Sequence, residues 1–481
     1  MIVARKIAYN VLVSSVSKVL STVLALAAVG FITRGLGKDG FGDYATVLAF
    51  LSLFSAISDL GLNQLSTREI SHEGADESEI MSNIFTLRLL SSLVVFLLSP
   101  ILILFFPYSD AVKLGIIVIS GSFVFSSGYQ VLNGVFQKHL VMDKVAISEL
   151  VGKAVQLLVV ILAVRFSLGF GWIVASLLFN GMVNFVLVYL WSRKYVKLSF
   201  RFDFAYWKKF LATSYPVGIA AVVVFIYFKM DTILLSMLKT NVEVGIYNAA
   251  YKILENISFF PAMIMGLIFP IMAQNVFSNK ERFKDISNKT FKVFVLAIIP
   301  LIIGTMFLSE GVIRLIGGVG FAESANVLRI LVLALSMIFF SNFFNSVLIA
   351  GNMQKKLMYV LGAAAALNVA SNLIFIPIYS YNAAAWISFL TEAFVSLLGW
   401  YLASKYLAYS PHVERFPRIV LSGIIMGAAL FALKGMNFFV AGFIGMAVYT
   451  GAIWISKAVE TSEITSIFTK KGIKEYEEPI M

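Results

Sequence analysis

The stretch "LATSYPVGIAAVVVFIYFKMDTILLSML", residues 211–238, decides the fold. A helix needs roughly 20 mostly apolar residues to cross the hydrocarbon core of a bilayer, and this run supplies them. Lys229 and Asp231 nevertheless sit inside it. An ionisable group at the bilayer centre costs at least about 3 kcal/mol, so such residues face a bundle interior or an aqueous cavity. The run therefore reads as one helix of a membrane bundle with a polar interior.

The whole chain has the same character. Of 481 residues 59% are hydrophobic and 13% charged, with a mean hydropathy of +0.89, far more apolar than a soluble domain. This is an all-α polytopic membrane protein. The net charge of +12 comes from short Lys and Arg runs between apolar segments, where the orientation rule for membrane loops explains it, and no nucleic-acid partner is expected. There is no cysteine, and His72, His139 and His412 are scattered, so the sequence predicts no disulfide, no metal site and no cysteine nucleophile. The first apolar stretch has full membrane length and no small-residue cleavage site, so it is expected to remain as the first helix.

Apolar runs place helices near 9–33, 44–65, 82–106, 112–136, 146–165, 170–191, 211–238, 246–272, 290–308, 326–350, 357–377, 383–405, 417–434 and 437–456, about fourteen spans. One set of alternating loops, together with both chain ends, holds about 24 Lys and Arg against about 7 opposite. The basic side is predicted to be cytoplasmic, at a plasma membrane, with both termini inside.

Short stretches recur in order. "GVFQKHL" (134–140) echoes "GNMQKKL" (351–357), "SRKY" (192–195) echoes "ASKY" (403–406), and "FGDY" (41–44) echoes "VGIY" (244–247). The shared order suggests that helices 1–6 and 7–12 are duplicated halves, and six spans per half keep the two copies parallel. The expected division is an N-terminal lobe over 1–192, a basic linker over 193–210, a C-terminal lobe over 211–406, helices 13 and 14 over 407–456, and a cytoplasmic tail over 457–481.

"TRGLGKDGFGDY" (33–44), the run "MDTILLSMLKTNVEVGIYNAAYKILENISFFPAMI" (230–264) and the fourteen-span layout resemble the polysaccharide transporter or O-antigen flippase family. That family lies within the multidrug, oligosaccharidyl-lipid and polysaccharide exporter superfamily. The resemblance implies two six-helix lobes in a V-shaped arrangement that alternate access. It also implies a lipid-diphosphate-linked oligosaccharide as cargo, moved from the cytoplasmic to the outer leaflet.

Further ionisable residues recur inside the expected spans. The bases Lys18, Arg88, Lys153, Lys229, Lys252 and Arg329 are candidates to meet a diphosphate, whose oxygens call for placed cations. Asn248, Tyr251, Asn342, Asn345, Asn368 and Asn372 are candidates to hydrogen-bond sugars. Asp59, Asp231, Glu255 and Glu392 are candidates for coupling to H⁺ or Na⁺, Asp59 and Asp231 first. For Lys252 with Glu255, and Glu149 with Lys153, an internal ion pair stands beside the cavity reading. The Asn and Ser residues of helices 10 and 11 are expected to bond between helices.

These features predict a flippase of lipid-linked oligosaccharide, a monomer without a cofactor, in contact with membrane lipids and with polysaccharide assembly enzymes. A multidrug or cation antiporter is the alternative, although a cationic drug favours an acid-rich cavity. A membrane glycosyltransferase or polymerase fits less well, because sugar-transfer chemistry calls for an outer domain with clustered carboxylates and the outer loops are short. No enzymatic chemistry is expected.

Overall fold

A computed structural model describes residues 2–59, 66–67, 69–70 and 76–459. Its helices are α1 (Ile2–Asp59), α2 (Glu77–Ile103), α3 (Asp110–Ser120), α4 (Ser122–Lys138), α5 (Met142–Arg165), α6 (Phe170–Ser192) and α7 (Phe204–Leu238). There follow α8 (Asn241–Ile257), α9 (Phe259–Asn275), α10 (Lys280–Gly317), α11 (Ser324–Ala350), α12 (Gln354–Leu407), α13 (Phe416–Ala432) and α14 (Phe438–Ile455). No strand occurs among the described residues. Ten helical stretches there are long and apolar enough to cross a membrane, so this is a multi-pass membrane protein.

The sequence spans and these stretches differ chiefly where two spans run together. Residues 34–43 were expected to form a loop, but Gly37 is the one non-helical residue in α1, at φ 66° and ψ −172°. Only glycine takes that conformation without strain, so one residue redirects the chain where a loop was expected. Ser380 does the same in α12 at φ 54° and ψ −136°, and the helix runs through Pro377. Its hydroxyl donates to Glu243 at 2.5 Å, while Lys239 donates to the Pro377 carbonyl at 2.9 Å. The strained serine is thereby held from outside its own helix. Conversely, the expected span 246–272 is divided at Ser258, which puts Pro261 in the first turn of α9, where a missing N–H costs little.

The chain forms two compact units. The first comprises residues 1–256, 314–324 and 361–388, and the second residues 257–313, 325–360 and 389–481. In the first, α5 packs on α1 and α6, and α4 on α2 and α6. In the second, Met426, Leu430, Ala441 and Tyr449 of α13 and α14 form a core against Ile299 and Ile303. Large apolar side chains such as Phe105, Phe443 and Trp454 are exposed, as lipid-facing residues are.

Among the described residues, many hydroxyls and amides inside the helices turn back on their own helix. Thr46 donates to Gly42 O at 3.0 Å, Ser52 to Leu48 O at 2.9 Å, Ser336 to Leu333 O at 2.6 Å and Asn342 to Ile338 O at 2.8 Å. Of the Asn and Ser residues expected to bond between helices, Ser336 and Asn342 are thus satisfied locally, the cheapest arrangement for a short polar side chain in a helix, whereas Ser341 reaches Glu392 across helices at 2.9 Å.

Candidate functional site

The first unit gathers most of the expected intramembrane charges. Lys229 of α7 donates to Glu255 of α8 at 2.5 Å, and Lys252, one turn earlier on α8, donates to the other Glu255 oxygen at 2.6 Å. The Lys229 ammonium lies 4.8 Å from the Tyr251 ring centroid, and the Tyr251 hydroxyl donates to the Phe228 carbonyl at 2.5 Å. One carboxylate therefore serves two ammonium groups, and the ion-pair reading of Lys252 with Glu255 holds geometrically. Lys153 of α5 sits in the field of Lys252, Lys18, Glu149 and Glu255, so α1, α5 and α8 bring three lysines into one neighbourhood. Glu149 is taken by Tyr129, which donates to it at 2.7 Å. Lys153 donates to Gln156 at 3.1 Å.

Asp231 sits in a nest of neutral donors, within the field of Lys229. It is 3% exposed. Tyr247 donates to it through its hydroxyl, Ser388 of α12 at 3.1 Å and the Thr232 amide at 3.0 Å. The nearly opposite directions of residues two apart on a helix thus send Lys229 and Asp231 to separate partners. Thr232 reaches Asn248 at 3.4 Å.

Other expected residues are placed elsewhere. Arg88 is 2% exposed and donates to Gln130 at 2.6 Å, which fits a buried brace in α2 better than an accessible cavity wall. Arg329 belongs to the second unit, where it donates to Glu310 at 2.9 Å. Glu392 accepts from Ser341 at 2.9 Å in that same unit. Asn342 bonds its own helix as above, and Asn345 Oδ1 is buried without a partner among the described residues. Asn372 donates to Asn368 at 3.0 Å, both on α12. The Asp59 side chain lies outside the described residues.

Sequence reading missed Asn180 and Asn184 of α6. Asn180 donates to Gln156 at 3.1 Å and Asn184 to Asn180 at 3.0 Å, extending the polar surface from Lys153. Their spacing of four in an apolar helix was the available signal. Tyr247 and Ser388 were also missed, and nothing near Ser388 in the sequence marks it as a partner of Asp231.

Two of the echoed sequence motifs meet in space. A Cβ on Gly42 of "FGDY" would lie 1.8 Å from the Asn241 carbonyl oxygen, and one on Gly245 of "VGIY" 2.2 Å from that of Lys38. The contact is reciprocal: each glycine faces the residue four positions before the other. Beside it, Thr33 donates to the Ile316 carbonyl at 2.7 Å, and Arg34 reaches the carbonyls of Leu315 and, at 3.4 Å, Arg314. A cation there complements the C-terminal end of α10.

Lys38 also pairs with Glu323 at 2.8 Å. The Lys38 hydrogen bond, then the residue's own backbone N–H, hold the Glu323 carboxyl below its ordinary value of 4.5. A lowered acid stabilises fully above that ordinary value and loses its effect as pH falls through the lowered one. Both side chains meet water, so the pair contributes at most about 1 kcal/mol. In detergent, the difference in melting temperature between wild type and Glu323→Gln is expected to be constant above about pH 4.5 and to vanish in stronger acid. A difference that grew in acid would refute this.

The model of the family described as polysaccharide biosynthesis protein matches residues 7–276, more than half of the chain. The chain belongs to that family. Among its relatives, a Shigella flexneri protein named as an O-antigen transporter is 26% identical over 67% of this chain and 81% of its own length. A Haloferax volcanii protein named as the low-salt glycan biosynthesis flippase Agl15 is 22% identical over 90% of this chain and 93% of its own. The fold is that of the lipid II flippase MurJ in an inward closed conformation, with TM-score 0.75 at 15% identity over 96% of this chain and all of that one. It is also that of an inward-facing multidrug resistance MATE family transporter of the MOP superfamily, with TM-score 0.65 at 15% identity, covering 88% of this chain and 100% of the other.

Proposed function

We propose that this protein is a flippase that carries a lipid-diphosphate-linked oligosaccharide from the cytoplasmic to the outer leaflet. The observation that carries the reading is the lysine neighbourhood: Lys18 and Lys153 from the first half of the sequence share it with Lys252 from the second, and Lys229 joins through Glu255. A diphosphate bound there would hold both halves at once, as alternating access requires. Asn180 and Asn184, beside Lys153, are suited to sugar hydroxyls. The names of the relatives support the same cargo, and an excess of bases disfavours a cationic drug.

The finer reading has fourteen crossings, with α1 and α12 each crossing twice about Gly37 and Ser380, and a lobe over 1–192 working against one over 211–406. The protein acts as a monomer in the plasma membrane, with both termini cytoplasmic, beside the enzymes that assemble the polysaccharide. It carries out no covalent chemistry. Asp231 is the carboxylate we assign to coupling with H⁺ or Na⁺, supported by its burial among neutral hydrogen-bond donors.

The test is leaflet exchange of a fluorescent lipid-diphosphate oligosaccharide in vesicles. A charge-assisted hydrogen bond contributes about 1.5–3 kcal/mol. Lys252→Gln or Lys153→Gln is therefore expected to weaken cargo affinity by about tenfold or more, with the protein still folded. Unaltered affinity in both would remove the diphosphate from this site.

A further inference from the structure

The segment joining α6 to α7 is bound to α2 by a regular set of hydrogen bonds. The Lys197 amide donates to Ser78 Oγ at 3.1 Å, the Ser199 amide to Ser82 Oγ at 3.1 Å, and the Arg201 amide to Thr86 Oγ1 at 3.1 Å. The Asp203 amide donates to Asn83 Oδ1 at 3.3 Å. Ser78, Ser82 and Thr86 are spaced by four on a helix, a repeat of about 6 Å. Alternate residues of an extended chain repeat at about 6.7 Å. The two periods nearly coincide, so every second amide of the segment finds a hydroxyl one turn further along α2. Val196, Trp207 and Phe210 anchor the ends in a core with Met81 and Ile84, and the Trp207 indole N–H donates to the Asn83 carbonyl at 3.1 Å.

A segment fixed in this way presents a constant outer surface. Phe200, Phe202 and Phe204 are 67%, 59% and 72% exposed, and Arg193, Lys194, Lys197, Lys208 and Lys209 are exposed around them. Three open phenylalanines among five open cations, at the start of the long helix α7, match neither water nor a protein core. They match the boundary of a bilayer, where aromatic rings sit at headgroup depth and cations meet lipid phosphates. We propose that residues 193–209 are a pre-formed docking strip for acidic phospholipid headgroups. The strip is independent of the cargo site, and its occupant is structural lipid of the leaflet that it borders.

The experiment is native mass spectrometry of the intact protein released from vesicles of phosphatidylcholine mixed with phosphatidylglycerol. Wild type is expected to retain phosphatidylglycerol in preference. Each exposed lysine replaced, in the series Lys194→Gln, Lys197→Gln, Lys208→Gln, is expected to lower that preference by up to about fivefold. Ser82→Ala with Thr86→Val keeps every charge but removes the two middle bonds and loosens residues 199–201, and is expected to reduce the preference too. No preference in wild type, or an unchanged preference across the lysine series, would overturn the proposal. The latter would mean that phosphatidylglycerol is held elsewhere on the protein. An unchanged preference in the Ser82 and Thr86 variant alone would overturn the pre-formed character. Leaflet exchange of the oligosaccharide plays no part in the readout, so failure of the flippase reading leaves this test intact.

Discussion

Gly42→Ala and Gly245→Ala are each expected to separate the two chain segments that meet at the echoed motifs. A methyl carbon 1.8 Å or 2.2 Å from a backbone oxygen cannot be accommodated by a rotamer change, because the obstacle is main chain. Overpacking of this kind costs about 1–3 kcal/mol, which shifts a two-state equilibrium by about 5–150-fold. If the joined arrangement is one end of the transport cycle, its population falls by that factor and transport falls with it. The chain has no cysteine, so Lys38→Cys with Asn241→Cys, the two residues whose main chain the glycines face, bridged by a short bifunctional maleimide, reports the joined state directly. Both alanine variants are expected to lower the bridging yield. Gly266→Ala is the control, since a Cβ there meets nothing within 4 Å. Normal bridging and normal transport in the Gly42 and Gly245 variants would remove the contact from the cycle.

Glu255→Gln is expected to act in two opposed directions. It leaves Lys229 and Lys252, with side chains only 17% and 15% exposed, without their shared carboxylate. Loss of one partner from a fully buried pair costs about 3–5 kcal/mol. Glu255 is itself 36% exposed, so a smaller loss of about 1–3 kcal/mol is expected, read as a lower melting temperature in detergent. The same change makes the site more positive by one charge, so inorganic pyrophosphate is expected to bind more tightly. Adding Lys229→Gln and Lys252→Gln is expected to recover part of the stability and to abolish the gain in affinity. A Glu255→Gln protein that is less stable without binding pyrophosphate better would make the trio a structural clamp only.

The fold was largely legible in the sequence because a bilayer imposes long apolar runs, and these are hard to misread. What escaped was local. Gly37 is one of several glycines in its stretch, and only the folded backbone singles it out as the residue at positive φ. Ser380 gives less warning, because serine has no preference for that conformation and is held there by Glu243. In the site, the charges on α7 and α8 announced themselves by their cost in an apolar helix, and Glu255 followed from helical spacing. Arg88 and Arg329 announced themselves equally, yet their partners Gln130 and Glu310 lie on other helices, which no periodicity within one helix could reveal. The reciprocal glycine contact was half visible: the echo of "FGDY" and "VGIY" was in the sequence, but not that the copies touch.

Thr46, Ser52, Ser336 and Asn342 carry their hydrogen-bond acceptors within their own helices. A helix furnished in this way can exchange one neighbour for another without breaking a polar bond at that surface. The barrier to such sliding is then set by the shape of side chains and the compliance of lipid tails. Friction rather than bond rupture governs its speed, which suits a protein whose helices must change company in every cycle.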